Sequence, residues 1–175
     1  TITTAHQPNI FTGLLYFIYK ILHTIKLCKQ LKADMPENDF VPIFYMGSED
    51  ADLEELGHVY INGYKHAWNI KQTGGVGRMK VDKALIKLLD DIEGEVAVHP
   101  HGNKIIELMK ICYTEDSTIE LATFKLINAL FGEFGLIVLL PEDAGYKKAF
   151  VPVVEKELIE GFSHSIVAKT VSAFP

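Results

Sequence analysis

The sequence predicts an α/β domain in which helices flank a parallel β-sheet. The chain begins with a β-prone run, and a long amphipathic helix and an almost wholly apolar strand follow it, which is the order of a βαβ unit. A second apolar run, Leu136–Leu140, is the clearest further candidate for a buried strand. Apolar runs without alternation are typical of strands that are covered on both faces of a parallel sheet.

The βαβ unit occupies the first part of the chain. Residues Thr1–Ala5 are β-prone, and the polar turn His6–Asn9 follows them. Apolar residues then recur at steps of three and four, a spacing that predicts an amphipathic helix packed on a sheet. These residues are Leu14, Ile18, Ile21, Ile25 and Cys28. Phe40–Met46 predicts the second strand, reached by a right-handed crossover.

We expect residues 58–116 to form an inserted connecting segment that contains a β-hairpin and helices. The runs His58–Ile61 and Trp68–Ile70 are strand-like, and between them lies Asn62-Gly63, a dipeptide suited to the positive φ angles of a hairpin turn. Asp82 can cap a helix that we expect to end at Gly94.

Two further helices are expected before the last strand. One lies around Asn103–Tyr113, and the other begins with Ser117 and Glu120, which have the spacing of a capping box. After Leu136–Leu140, helical spacing resumes beyond Gly145 and continues to about Phe162.

Composition argues against several classes of protein. The formal net charge of -6 disfavours nucleic-acid binding, because neutralising phosphates takes clustered Lys and Arg. No run approaches the ~20 continuous apolar residues of a membrane span. Cys28 and Cys112 lack the spacing of a disulfide framework or metal site, which indicates a reducing, cytoplasmic location. The abrupt start at Thr1, inside a strand-like run, suggests a piece of a longer protein.

Polar residues follow the predicted strands, at the edge of the sheet where ligands of open parallel sheets bind. The first such segment, His6–Gly13, offers an imidazole, an amide, a hydroxyl and backbone N–H groups to an anion at a helix start. Its candidate residues are His6, Gln7, Asn9, Thr12 and Gly13. The alternative is a tight turn in which His6 is merely solvated and Gly13 only permits close packing.

A second polar segment directly follows Phe40–Met46. Acids at a strand exit can bind an amine, orient a hydroxyl or act as a general base. The candidates here are Ser48, Glu49, Asp50 and Asp52. The alternative is that Asp50 or Ser48 caps a helix starting near Ala51.

Weaker signals lie elsewhere. Asp143 follows Leu136–Leu140 and could bind a ligand there or simply cap a helix. The glycine-rich Gly74–Arg78 matches neither a P-loop nor a dinucleotide fingerprint, and is either a mobile loop near the site or a hairpin connector. His99 and His101 have too few neighbouring ligands to predict a metal site.

Taken together, these motifs resemble those of the enzymes that add cysteine in bacillithiol biosynthesis, the BshC family. Thr4–Lys20, with the sequence TAHQPNIFTGLLYFIYK, is similar to the family's opening core motif. Met46–Glu55 resembles its second motif, a strand ending in Ser-Glu-Asp. Gly75–Met79 and Phe131–Asp143 resemble later segments, in the same order. The resemblance therefore covers most of the chain.

The resemblance implies a Rossmann-like core related to class I nucleotidylyltransferases, with inserted connecting segments. It also implies a C-terminal coiled-coil arm, absent from residues 1–175, through which the family would form a homodimer. The implied reaction joins L-cysteine to glucosaminyl malate through an amide, with ATP or another activator of the carboxylate. His6, Glu49, Asp50 and Asp52 would then be catalytic. The implied substrate- or anion-binding residues are Gln7, Asn9, Thr12, Gly13, Ser48 and Asp143.

Three positions depart from the family pattern. Ala5 and Leu14 stand where Gly and Pro are common, and Ala51 stands where many members carry His. The last change removes an acid/base group and leaves His6 or His58 as the nearest imidazole. Two other functions stay open: a nucleotidyltransferase-type enzyme acting on another small substrate, and a non-catalytic ligand-binding or assembly domain.

Overall fold

A three-stranded parallel sheet forms the centre of the fold in the computed structural model, which describes residues 1–50 and 52–174. Its strands are β1 (Ile2–His6), β2 (Pro42–Met46) and β5 (Ile137–Leu139), in the spatial order β1-β2-β5. Both pairings are parallel, with Ile2 opposite Pro42 and Ile43 opposite Ile137. The predicted parallel sheet with flanking helices is confirmed.

The remaining elements among the described residues are one hairpin, seven α-helices and three short 3-10 helices. The hairpin pairs β3 (His58–Ile61) with β4 (Tyr64–Ala67). The helices are α1 (Leu15–Asp34), α2 (Leu53–Leu56), α3 (Lys83–Val96), α4 (Gly102–Cys112), α5 (Ile119–Phe131), α6 (Ala144–Glu160) and α7 (Phe162–Ala173). None of these helices is long and apolar enough to cross a membrane. The chain divides into two compact units, Thr1–Leu140 and Pro141–Pro175.

The sheet is held by a core between α1, β2 and α5. Phe17 and Ile21 of α1 are fully buried against Phe44 of β2, and the rings of Phe17 and Phe44 meet edge-on with centroids 5.2 Å apart. Alternate residues of β2 are only partly buried. The second predicted strand is therefore covered more completely on one face than on the other.

A second core lies between the hairpin and α3, α4 and α5. Its fully or almost fully buried members include Leu56, Val59, Trp68, Leu85, Leu89, Ile92, Ile106 and Ile119. The Trp68 indole N–H donates to Asp82 Oδ1 at 2.8 Å, and the same oxygen accepts the Leu85 amide as the cap of α3. Helix α5 serves both cores, because Leu126 packs in this one and Ile127 in the core of the sheet.

The hairpin differs from its prediction in the position of the second strand. Asn62 and Gly63 adopt φ angles of 50° and 85°, which makes a two-residue turn and pairs Ile61 directly with Tyr64. The second strand is therefore Tyr64–Ala67, and the prediction of Trp68–Ile70 was wrong. Position 68 carries an apolar residue because the Trp68 side chain packs in the second core, not because it belongs to a strand.

Two helix boundaries were also predicted incorrectly. Helix α3 continues through Gly94 to Val96, because an isolated glycine weakens a helix without ending it. The cap of α5 is Thr118, whose hydroxyl accepts the Leu121 amide at 3.2 Å. Ser117 instead donates its hydroxyl to Thr114 O in the preceding turn. The N-cap therefore lies one residue later than predicted, and Leu121 occupies the third helical position in place of Glu120.

The last strand is not the buried strand that its apolar sequence predicts. Strand β5 is only Ile137–Leu139, and the Ile137 side chain is 52% exposed. It lies at one end of the strand order. An apolar run identifies a strand but does not determine how much of it is covered.

The unit from Pro141 onward is a pair of helices. Asp143 caps α6 by accepting the amides of Gly145 and Tyr146 at 2.8 and 3.3 Å. Gly161, with φ of 58°, separates α6 from α7. The helix expected up to about Phe162 is confirmed, whereas α7 was not predicted.

The core of the sheet leads to a test of stability. Phe17 is fully buried and Tyr19, two residues further along α1, is 61% exposed. We expect Phe17→Ala to lower the free energy of unfolding by about 3–5 kcal/mol, because it removes a ring from a packed core. Tyr19→Ala, with the same final residue on the same helix, should change it by less than about 1 kcal/mol. Urea unfolding measures both, and equal losses would contradict this assignment of the core.

Candidate functional site

The carboxyl ends of β1 and β2 bring two of the predicted polar segments together. His6 and Met46 are opposite each other in the parallel register, and the Gly47 amide donates to His6 O at 2.9 Å. Beyond the strands, Gln7 Nε2 donates to Asp50 Oδ2 at 3.0 Å. A shallow cavity of about 230 Å³ lies here, lined by Ala5, His6, Gln7, Tyr45 and Gly47.

Both ring nitrogens of His6 are engaged inside the protein. Nδ1 lies 3.2 Å from Gln7 O, which can only accept, so Nδ1 carries the proton. Nε2 of the neutral ring then accepts from the Tyr16 hydroxyl at 2.8 Å. Burial lowers the pKa of His6 below its usual 6.5, which favours this neutral form. His6 is only 8% exposed, whereas Tyr16, whose hydroxyl it binds, is 42% exposed to solvent.

The loop after β1 has an unusual left-handed backbone. Phe11, Thr12 and Gly13 have φ angles of 51°, 72° and 56°. At Gly13 a Cβ would lie 2.6 Å from the Asn9 Cβ, so both the conformation and the packing require glycine. Asn9 is 2% exposed; its Nδ2 donates to Glu55 O at 3.5 Å, and its Oδ1 is buried without a partner. The close packing that was the alternative role for Gly13 is therefore present, and its predicted role in binding an anion stays a prediction.

Helix α1 begins directly after this loop without a side-chain cap. Leu14 is its N-cap residue and makes no capping hydrogen bond. The first-turn N–H groups of a helix carry partial positive charge and suit an anion. Thr12 and Gly13, both partly exposed, precede this helix start.

The acidic segment after β2 divides into residues with different roles. Asp50 Oδ1 accepts the Asp52 amide at 3.0 Å while Oδ2 accepts from Gln7. Asp52 Oδ1 accepts the Glu55 amide at 3.0 Å and so caps α2. The capping alternative thus applies to Asp52 and not to Asp50 or Ser48. Glu49 is exposed and accepts from the Tyr45 hydroxyl at 3.4 Å.

The glycine-rich segment lies directly against these acids. The Gly77 amide donates to Ser48 O at 3.1 Å, and the Val76 amide donates to Asp50 O at 2.7 Å. A Cβ on Gly77 would lie 2.5 Å from Ser48 O, so a larger residue cannot approach this closely. The Ser48 hydroxyl is fully buried without a partner. The segment therefore lies beside the candidate acidic residues, and its residues Val76–Arg78 form a short 3-10 turn.

His58 and the two cysteines do not line the shallow cavity. His58 Nδ1 lies 2.8 Å from Glu54 O, at a separate cavity of about 380 Å³ beside the hairpin. Cys28 and Cys112 are buried and burial raises the pKa of both thiols, as expected for small apolar side chains. Asp143 caps α6 of the second unit, which is the helix-capping alternative given for it from the sequence. Ala51, the departure from the family pattern, lies outside the described residues.

Three tyrosines near the site were missed from the sequence. Tyr16 holds His6, Tyr45 lines the cavity, and Tyr113 contacts the left-handed loop through its hydroxyl. Tyr16 lies within an apolar helical run, Tyr45 within an apolar strand, and Tyr113 at the end of a distant helix. The sequence therefore carried no local signal that separates them from structural aromatic residues.

The environment of His6 predicts a pH dependence of stability. Since the folded pKa lies below 6.5, the unfolded chain binds a proton that the folded chain does not as the pH falls through 6.5. The free energy of unfolding should therefore decrease below about pH 6.5 until the folded pKa is passed. Urea unfolding between about pH 5 and 7.5 measures this. His6→Gln should flatten the profile relative to the matched change at exposed His23, and identical profiles would refute the assignment.

The approach of Gly77 to Ser48 predicts a local steric requirement. Gly77→Ala should lower the free energy of unfolding by about 1–3 kcal/mol, because the new methyl group must displace the acidic segment. Gly94→Ala is the matched control, since Gly94 lies within α3 with open space around it. That change should be neutral or stabilising by up to about 1 kcal/mol. Equal effects of the two changes in chemical unfolding would rule out the close approach.

Comparison with known proteins places this arrangement in a family. Residues 1–174 match the model of the N-terminal Rossmann-like domain of BshC in bacillithiol biosynthesis. Proteins named "Putative cysteine ligase BshC" are similar in Flavobacterium psychrophilum (41% identity over 172 residues, 98% of the chain) and Cytophaga hutchinsonii (39% over 170 residues, 97%). The chain spans 32% and 30% of these relatives. The chain belongs to the BshC family and corresponds to its N-terminal Rossmann-like domain.

Proposed function

We propose that this chain forms part of a cysteine ligase that joins L-cysteine to glucosaminyl malate in bacillithiol biosynthesis. The observation that carries the proposal is the hydrogen bond from Gln7 Nε2 to Asp50 Oδ2, which links the two principal family motifs at one edge of the sheet. The names of the relatives supply the class of reaction. Because the chain spans about a third of their length, the activity is proposed for the whole protein.

The site contains groups suited to handling an amine. Amide formation joins an amine nitrogen to a carboxyl carbon, while the nitrogen loses a proton and the carboxyl oxygen leaves with its activating group. Asp50 is the best-placed proton acceptor, because Gln7 orients its Oδ2 and the Asp52 amide orients its Oδ1. Glu49, which is exposed beside Tyr45, could hold the ammonium group of a substrate.

His6 and the loop after it have a different proposed role. His6 is neutral and 8% exposed, and its Nε2 positions the Tyr16 hydroxyl. Asn9 and Gly13 maintain the loop that leads to the uncapped start of α1, with Thr12 partly exposed beside it. This end of the helix suits an anionic group, either a substrate carboxylate or a phosphate.

The carboxylate of cysteine requires an activator such as ATP. A nucleotide would convert one carboxyl oxygen into part of a leaving group, and the N–H groups at the start of α1 are the part of this chain that would hold its phosphates. This is consistent with the proposed relationship to class I nucleotidylyltransferases, in which residues 58–116 would be a connecting insertion. We further propose a cytoplasmic protein that forms a homodimer through the coiled-coil arm of the family.

Substitution of Asp50 tests the proposal in the full-length protein. Asp50→Asn keeps the shape and removes the proton acceptor, so ligation should fall by at least about 10²-fold. Asp91→Asn is the control, since Asp91 lies on the exposed face of α3 in an ion pair with Lys87. Formation of the cysteine adduct from glucosaminyl malate is measured by mass spectrometry. Undiminished turnover by Asp50→Asn would exclude Asp50 from the chemistry.

A thiol profile of cells separates the proposed function from its alternatives. Deletion of the gene should abolish bacillithiol and accumulate its cysteine-free precursor. An unchanged profile would refute the ligase and favour a nucleotidyltransferase acting on another small substrate, or a non-catalytic domain. Pyrophosphate exchange that depends on a substrate other than cysteine would identify the nucleotidyltransferase.

A further inference from the structure

Tyr113 reaches the left-handed loop from the far end of α4. It is the residue that ends this helix, 102 positions along the chain from Phe11, and its side chain is 2% exposed. Its hydroxyl oxygen accepts the Phe11 amide at 3.1 Å. The same hydroxyl lies 3.2 Å from Thr123 Oγ1 of α5. One buried phenol therefore connects α4 and α5 to the loop that follows β1.

The directions of these hydrogen bonds follow from their partners. A backbone N–H can only donate, so the Tyr113 oxygen accepts from Phe11, and its own hydrogen is available to Thr123 Oγ1. Burial raises the pKa of Tyr113 to about 12, so the phenol keeps this hydrogen at neutral pH. The hydroxyl can satisfy both partners at once, and a phenylalanine could satisfy neither.

Phe11 is the position where this bond matters for the shape of the loop. Its φ and ψ angles are 51° and 31°, a conformation that a bulky residue rarely adopts. Its side chain is buried, and its ring meets the Tyr113 ring edge-on with centroids 5.0 Å apart. Without the hydroxyl, its amide would be a buried donor without this partner, which favours a different backbone conformation.

We infer that Tyr113 is a positioning residue that holds residues 11–13 in the positive-φ conformation required for substrate binding. The inference rests on the proposed function, in which Thr12 and the start of α1 face the anionic part of a substrate. Thr12 and Gly13 follow Phe11 directly and share its positive φ angles. A change at Phe11 therefore moves the groups that lead into α1. Tyr113 does not touch the substrate.

Tyr113→Phe in the full-length protein tests the inference because it removes one oxygen and keeps the ring. Hydrogen exchange of the peptide covering residues 9–14, measured by mass spectrometry without substrate, should accelerate roughly tenfold or more on loss of the bond. KM is measured for L-cysteine, for glucosaminyl malate and for the activating nucleotide, and it should rise about fivefold or more for the one that the loop binds. The value of kcat should change less than twofold, because the loop binds without reacting.

Ile106→Val is the matched control for a purely structural effect. Ile106 lies on α4 in the same core and is 1% exposed, so its truncation weakens packing without altering a hydrogen bond of the loop. It should leave both the exchange of residues 9–14 and KM near the wild-type values.

The outcomes separate this inference from the proposed function. Unchanged exchange or unchanged KM in Tyr113→Phe, or equal changes in Ile106→Val, would overturn the positioning role. If the wild-type protein does not ligate cysteine, the proposed function fails, and a substrate-positioning role for Tyr113 fails with it. If ligation proceeds and only Tyr113→Phe shifts exchange and KM together, both are supported.

Discussion

The parallel pairing of β1 with β2 determines where every residue of the candidate site lies. His6 and Met46 end their strands side by side, so the chain leaves the sheet twice at the same edge. Gln7 and Asp50 can meet only because these two exits are adjacent. A shift of one residue in this register would turn the strand side chains to the opposite face. The packing of Phe17 against Phe44 therefore supports the site as well as the core.

The site is shaped by two glycines whose backbone lies unusually close to neighbouring atoms. Gly77 approaches Ser48, and Gly13 approaches Asn9, at distances that a methyl group would prevent. The backbone bonds from Val76 and Gly77 attach a distant segment of the chain to the acidic turn. Asp50 is consequently held from two sides, by Gln7 and through its own backbone carbonyl. This rigidity suits a residue whose proposed task depends on accurate placement.

Sequence patterns were sufficient where one physical rule dominates. The spacing of apolar residues identified α1 and β2, the Asn62-Gly63 turn located the hairpin, and the polar residues at strand ends indicated the site. Patterns failed where distant parts of the chain decide the outcome. The partial exposure of β5, the neutral tautomer of His6 and the contact of Tyr113 with Phe11 all depend on neighbours far away in sequence. The family motifs indicated two segments that the structure brings together through Gln7 and Asp50, but they could not separate Asp50 from the capping Asp52.

Helix α5 connects the two cores of the unit Thr1–Leu140. Leu126 and Ile127 are adjacent in sequence yet belong to different cores, so loosening one core draws on the helix that supports the other. Proteins open locally in cooperative units, and we expect a helix that is packed in both cores to couple their opening. The hairpin and its helices are therefore not a removable appendage. They and the sheet belong to one compact unit, and we expect the edge of the sheet that carries the candidate site to depend for its stability on residues that do not contact it.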